Sequence, residues 1–159
     1  MKILVRLLLV GFFVSSLFGG TYNPLDGVKA QKEDALKYVK FITVQDMKSW
    51  IKEKKNFKIL DVREGAEKYA GQIVYKNTVS VPRGVLYAAV KKGILKPNDT
   101  YVLVCRSGHR AILGAATLTK WYKFKNLYVL KGGIKSWIKD GGLISNAMHL
   151  GDVKIQLTK

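Results

Sequence analysis

The chain has 159 residues, one cysteine and a formal net charge of +17, from 28 Lys and Arg against 11 Asp and Glu. That length suits one domain with short appendages, and a lone thiol with two histidines excludes an internal disulfide framework and a cysteine-rich zinc site. With 48% apolar and 11% aromatic residues the chain can build a core, so wholesale disorder is excluded too.

Residues 1–20 carry Lys2 and Arg6, an apolar stretch from Leu7 to Phe18, and then Gly19 and Gly20. This is the three-part layout of a secretory signal peptide, too short for a membrane span of about 20 residues. The expectation is export, to the periplasm of a bacterium, with no stable membrane insertion once the segment is removed. An uncleaved N-terminal tether is the alternative. No cysteine lies near the junction to take a lipid. Loss of the segment leaves a charge of about +15.

Residues 21–40 read as a polar spacer, helical near Glu33–Val39. From Phe41 the pattern becomes regular. Thr43 is placed to cap a helix carrying Val44, Met47, Trp50 and Ile51 at helical spacing. Phe57 to Val62 reads as a buried strand, and Glu64 to Ala70 as a short helix stopped by Gly71. Val79 to Val81 is a brief strand before Pro82, and Val85 to Lys91 a helix. Tyr101 to Val104 is a strand running into Cys105, and Arg110 to Trp121 a helix of small and apolar residues. Leu127 to Leu130 is a strand, and Ile134 to Lys139 a last helix. Trp50 and Trp121 read as core. Residues 146–159 read as a tail, with an edge extension from Ile144 as the alternative.

Strands that are apolar on both faces and alternate with helices predict an α/β domain over 41–145. Its sheet is largely parallel and covered by helices on both faces.

In such sheets ligands bind outside the carboxyl ends of the strands. Cys105 lies there, followed by Arg106, Ser107, Gly108, His109 and Arg110 and then a helix. Converging backbone N–H groups, the helix N-terminus and two arginines all favour a thiolate, the reactive form of cysteine. Gly108 lets the loop turn tightly. Read alone, Cys105 is equally well a small buried hydrophobe.

The segment Cys105-Arg106-Ser107-Gly108-His109-Arg110 resembles the active-site loop of rhodanese-like sulfurtransferases. Leu60-Asp61-Val62-Arg63-Glu64 is similar to that family's Asp-Val-Arg element. Glu67 to Ile73 is similar to its Glu-Tyr-x-x-Gly-His-Ile segment, one residue shorter before the glycine. Val81-Pro82-Arg83-Gly84 resembles its Ile-Pro-Arg-Gly variant. Asn126 to Ile134 with Trp137 resembles its closing Gly-Gly-x-x-x-Trp stretch. Five motifs in order over about 41–143 make a specific pattern. This chain departs from it with Gln72 in place of a usual His, Ala111 in place of a frequent Ser and Tyr87 in place of a frequent Glu.

The resemblance implies the rhodanese-like three-layer fold and a sulfurtransferase. Cys105 would be the nucleophile that carries sulfur as a persulfide, from a small anionic donor such as thiosulfate to a thiol or protein acceptor. Arg106, Ser107, Gly108, His109 and Arg110 would bind the donor, with Arg83 bordering the pocket. Asp61 and Arg63 are expected to form a structural ion pair, and Gly132, Gly133 and Trp137 to serve turn and packing. The resemblance calls for no metal and no organic cofactor.

Rival readings are weighed on the same residues. Phosphatases and arsenate reductases that resemble this chain carry five residues between Cys and Arg; here there are four. A partner-binding module or non-enzymatic persulfide carrier differs from the enzyme only in what Cys105 does. Nucleic-acid binding finds no motif, and the scattered lysines read as a solvated surface.

Overall fold

The computed structural model describes residues 23–145 and, for their backbone, 152–153. The signal-peptide reading of residues 1–20 and most of the C-terminal tail lie outside the described residues. The chain divides into two units, Met1–Ala30 and Gln31–Lys159, and the sheet belongs to the second.

Helix α1 (Pro24–Leu36) starts nine residues earlier than its sequence suggests. The reason is local. The Asn23 side chain accepts the Leu25 N–H at 3.1 Å, and Pro24 takes the first helical position, where its missing N–H costs nothing. Ala35 is buried, and Tyr38 and Val39 beyond the helix pack against the same core cluster.

Strand β1 (Lys40–Ile42) leads to α2 (Val44–Lys52). Thr43 caps α2: its hydroxyl accepts the Asp46 N–H, and the Asp46 carboxylate accepts the Thr43 N–H, each at 3.1 Å. Strand β2 (Lys58–Asp61) is followed by the short helix expected before Gly71, which takes 3-10 form over Gly65–Ala70. Strands β3 (Gln72–Ile73) and β4 (Thr78–Ser80) come next. A second 3-10 turn at Arg83–Val85 leads into α3 (Leu86–Lys91). Then come β5 (Tyr101–Val104), α4 (His109–Tyr122), β6 (Leu127–Leu130), α5 (Gly133–Lys139), β7 (Ile144–Ser145) and β8 (Asp152–Val153).

Five strands form one parallel sheet in the order β1-β6-β5-β2-β4. This is an α/β fold with helices on both faces, as expected from strands without a polar side. The two faces follow strand alternation. Leu60, Tyr101, Leu103, Leu127 and Val129 enter one core cluster with α3 and α4. Ile59, Val102, Val104 and Leu130 enter the other with α2 and α5. Cys105 continues the parity of Tyr101 and Leu103 and so falls on the α4 side.

Ile144 is an edge extension rather than free tail. It pairs antiparallel with Ile73 in a small sheet ordered β3-β7-β8. Trp121 departs from its expected core place: it is 69% exposed, while Trp50 packs edge-on against Phe57 and Tyr128. No helix among the described residues is long and apolar enough to cross a membrane.

Candidate active site

Strand β5 is the middle strand of the sheet, and its end delivers Cys105 to the centre of the carboxyl edge. The chain then turns through Arg106 to Gly108 into α4. Gly108 has φ +99, a conformation that side chains resist, and its N–H donates to Cys105 Sγ at 3.1 Å. The turn thus aims a backbone donor at the sulfur. Cys105 is 1% exposed.

Helix α5 anchors the loop from the other side. Ile134 N–H donates to the Cys105 carbonyl at 2.9 Å, and Lys135 N–H to the Arg106 carbonyl at 3.1 Å. This approach requires Gly133. A Cβ there would lie 2.3 Å from the Cys105 carbonyl oxygen.

The two arginines of the loop differ. Arg110 donates through both terminal nitrogens to the Glu67 carboxylate, at 2.5 and 2.6 Å. That bidentate pair holds the Glu67 carboxyl down to about 2 and raises Arg110 above its ordinary value, the Cys105 side chain adding a smaller contribution to the latter. Arg106 is exposed, and among the described residues no carboxylate lies within ion-pair distance of it. Ser107 and His109 are also exposed and lie within hydrogen-bond reach of each other, Oγ to Nδ1 3.2 Å.

Glu67 is the residue the sequence reading left without a role. The signal that could have found it is the pattern of Glu67 ahead of Gly71, present in the motif but silent about its partner.

Asp61 and Arg63 form a buried ion pair, Nη2 to Oδ2 2.7 Å, and Arg63 also donates to the Gly71 carbonyl at 2.9 Å. Trp137 is buried, its indole N–H donating to the Leu143 carbonyl at 2.9 Å. Gly132 and Gly133 both take positive φ at the start of α5. Gln72 accepts from Ser80 Oγ at 3.3 Å, and Tyr87 is exposed.

Arg83 stands apart. It lines a cavity of about 170 Å³ with Asp34, Tyr38, Lys120 and Trp121, along the middle of α4. It is not among the residues lining the groove of about 310 Å³ that contains Arg106 and Glu67. Among the described residues no group of His, Cys, Asp and Glu is placed to hold a metal.

A cysteine cradled by a strand–loop–helix turn at the carboxyl edge of a parallel sheet defines an α/β protein with a thiol-centred site. The chain belongs to the rhodanese-like domain family, whose profile matches residues 43–140. A protein from Rhodopseudomonas palustris, described as a possible tyrosine phosphatase, is 25% identical with TM-score 0.68, over 80% of this chain and 100% of its own. The polysulfide-sulfur transferase homodimer of Wolinella succinogenes is 28% identical with TM-score 0.65, over 79% of this chain and 91% of its own. A thiosulfate sulfurtransferase from Pseudomonas aeruginosa, 17% identical with TM-score 0.62 over 79% of this chain and 24% of its own, shares the fold. No curated protein matches the chain.

Proposed function

We propose that this protein moves a sulfane sulfur from an anionic donor to a thiophilic acceptor through a persulfide on Cys105. The observation that carries the reading is the 3.1 Å bond from Gly108 N–H to Sγ, in a loop flanked by Arg106. The Cys105 thiolate attacks the outer sulfur of thiosulfate. A new S–S bond forms, the donor's S–S bond breaks, and sulfite leaves with the electron pair. A thiolate or cyanide then takes the outer sulfur and returns Cys105 to thiolate, in two half-reactions. Arg106, exposed on the cysteine loop and without a carboxylate partner among the described residues, holds the donor anion. Ser107 and His109 line its approach, and Arg110 shapes the loop.

Support comes from family membership and from the names of distant relatives that transfer sulfur. The four-residue spacing between Cys105 and Arg110 argues against the wider oxyanion cradle of a phosphatase. The test is intact mass after incubation with thiosulfate. One added sulfur on the wild type, absent from Cys105→Ser, is the expected result. No added sulfur with any sulfane donor leaves a partner-binding module as the better account. Export directed by residues 1–20 belongs to the same proposal. The mass of the protein recovered from its native cell tests it, by loss of that segment.

A further inference from the structure

Two neighbouring strands each carry part of one network to the cysteine. Strands β2 and β5 pair with Asp61 opposite Val104, and the Val62 N–H donates to the Val104 carbonyl at 3.0 Å. The segments that leave these two strands therefore start side by side. On the β2 side the buried Asp61 carboxylate holds the Arg63 guanidinium, and Arg63 Nη1 donates to the Glu67 carbonyl at 3.3 Å. The Glu67 carboxylate in turn accepts the Glu64 N–H at 3.1 Å and both terminal nitrogens of Arg110. On the β5 side the Cys105 side chain interacts with that same Arg110, by charge and by hydrogen bonding. Arg110 stands in the first turn of α4 on a long side chain about one-third exposed. Without a partner such a side chain spreads over many rotamers in water.

We propose that Glu67 is a positioning residue for Cys105: its two-point grip keeps the Arg110 guanidinium turned to the sulfur, where the positive charge favours the thiolate. The assignment rests on the sulfur-transfer reading, in which that thiolate is the attacking group. Glu67 acts through Arg110 and not on the substrate. Its own negative charge works the other way, since a nearby carboxylate disfavours a thiolate. The two effects have opposite signs. Loss of the grip makes Cys105 less acidic, whereas loss of the charge alone makes it more acidic. The other charged or titratable groups around the loop are Arg63 after β2, Arg106 and His109 of the loop itself and Lys135 of α5, and they are common to every variant below.

The lone cysteine allows its thiolate to be titrated by ultraviolet absorbance on the whole protein, with Cys105→Ser subtracted as the tyrosine background. Glu67→Gln keeps the shape of the side chain but not the two-point ion pair, and raises the midpoint by about one pH unit. Arg110→Ala raises it by a similar amount, and adding Glu67→Gln to Arg110→Ala moves it no further. Persulfide formation from thiosulfate, followed by mass in single turnovers, shows the same displacement of its pH profile. A midpoint in Glu67→Gln that is unchanged or lowered overturns the assignment, the first because Glu67 is then merely structural, the second because it then acts by charge alone. A further shift in the Arg110→Ala background overturns it too. A wild type that takes no sulfur from any sulfane donor yet shows these shifts keeps the hold of Glu67 on Cys105 and overturns the transfer reading, so the two failures are told apart.

Discussion

Glu67 and Arg110, 43 positions apart in the chain, meet in a two-point ion pair at 2.5 and 2.6 Å. The pair ties the 3-10 turn after β2 to the first turn of α4. One arginine of the cysteine loop is thereby committed to holding the loop in place. The other, Arg106, is exposed and has no carboxylate within ion-pair distance among the described residues.

The pair makes stability acid-sensitive. The folded-state pKa of Glu67 lies near 2, below its ordinary 4.5. Its contribution is therefore complete above about pH 4.5 and fades as the pH falls toward 2. Both side chains are about one-third exposed, so solvent screening keeps the contribution to about 1 kcal/mol. Glu67→Gln should lower the melting midpoint at pH 7 and flatten its pH dependence between 4.5 and 2. A profile that parallels the wild type throughout would show that the pair contributes nothing.

Arg106 and Arg110 should separate kinetically. Arg106→Ala removes an exposed cation that touches no carboxylate, so the fold should be unaffected. The KM for thiosulfate should rise about tenfold, the equivalent of one charge-assisted hydrogen bond. Arg110→Ala leaves Glu67 without its partner and should lower the melting midpoint as well. Initial rates and thermal melts on both variants check the contrast.

Arg63→Ala should cost about 3–5 kcal/mol in urea denaturation, because it leaves the Asp61 carboxylate buried and uncompensated. It also removes the donor to the Gly71 carbonyl that anchors the end of the 3-10 turn. A cost below about 1 kcal/mol would mean that water or another cation reaches Asp61 in the variant.

Gly133→Ala tests the seating of α5 on the cysteine loop. Its Cβ would collide with backbone atoms of Cys105 and Arg106, at a φ of +62 that L-residues resist. Neither side can yield cheaply, so a loss of about 2 kcal/mol or more is expected, together with slowed persulfide formation. Gly84→Ala is the control. Nothing lies within 4 Å of its Cβ position, and the change should stay within about 0.5 kcal/mol. Equal stability of the two variants would contradict this account of the close approach.

What the sequence determined by itself was whatever depends on neighbouring residues. Apolar runs marked β2, β5 and β6, because a strand buried on both faces has no polar positions to spare. Thr43 and Asp46 marked a helix start, because a capping box closes within four residues. Cys105 followed by Gly108 marked a thiol-centred turn, because strand, loop and helix are contiguous there. Pro24 was legible too, as a first-turn proline after Asn23, and a reading tuned to apolar periodicity passed over it.

Only the tertiary structure decided which distant faces meet. Glu67 became the partner of Arg110 through the packing of β2 beside β5, which brings their following segments together at one sheet edge. Arg83 was carried along α4 and away from the groove by its packing beside Gly114, and Trp121 was left outside the core although its helix is apolar elsewhere. The same contacts set Ile144 against Ile73 and gave the groove its far wall. Helical and strand periods report which residues share a face, but the opposing surface is selected by the fold as a whole. The site is therefore written locally in its nucleophile and globally in everything that positions it.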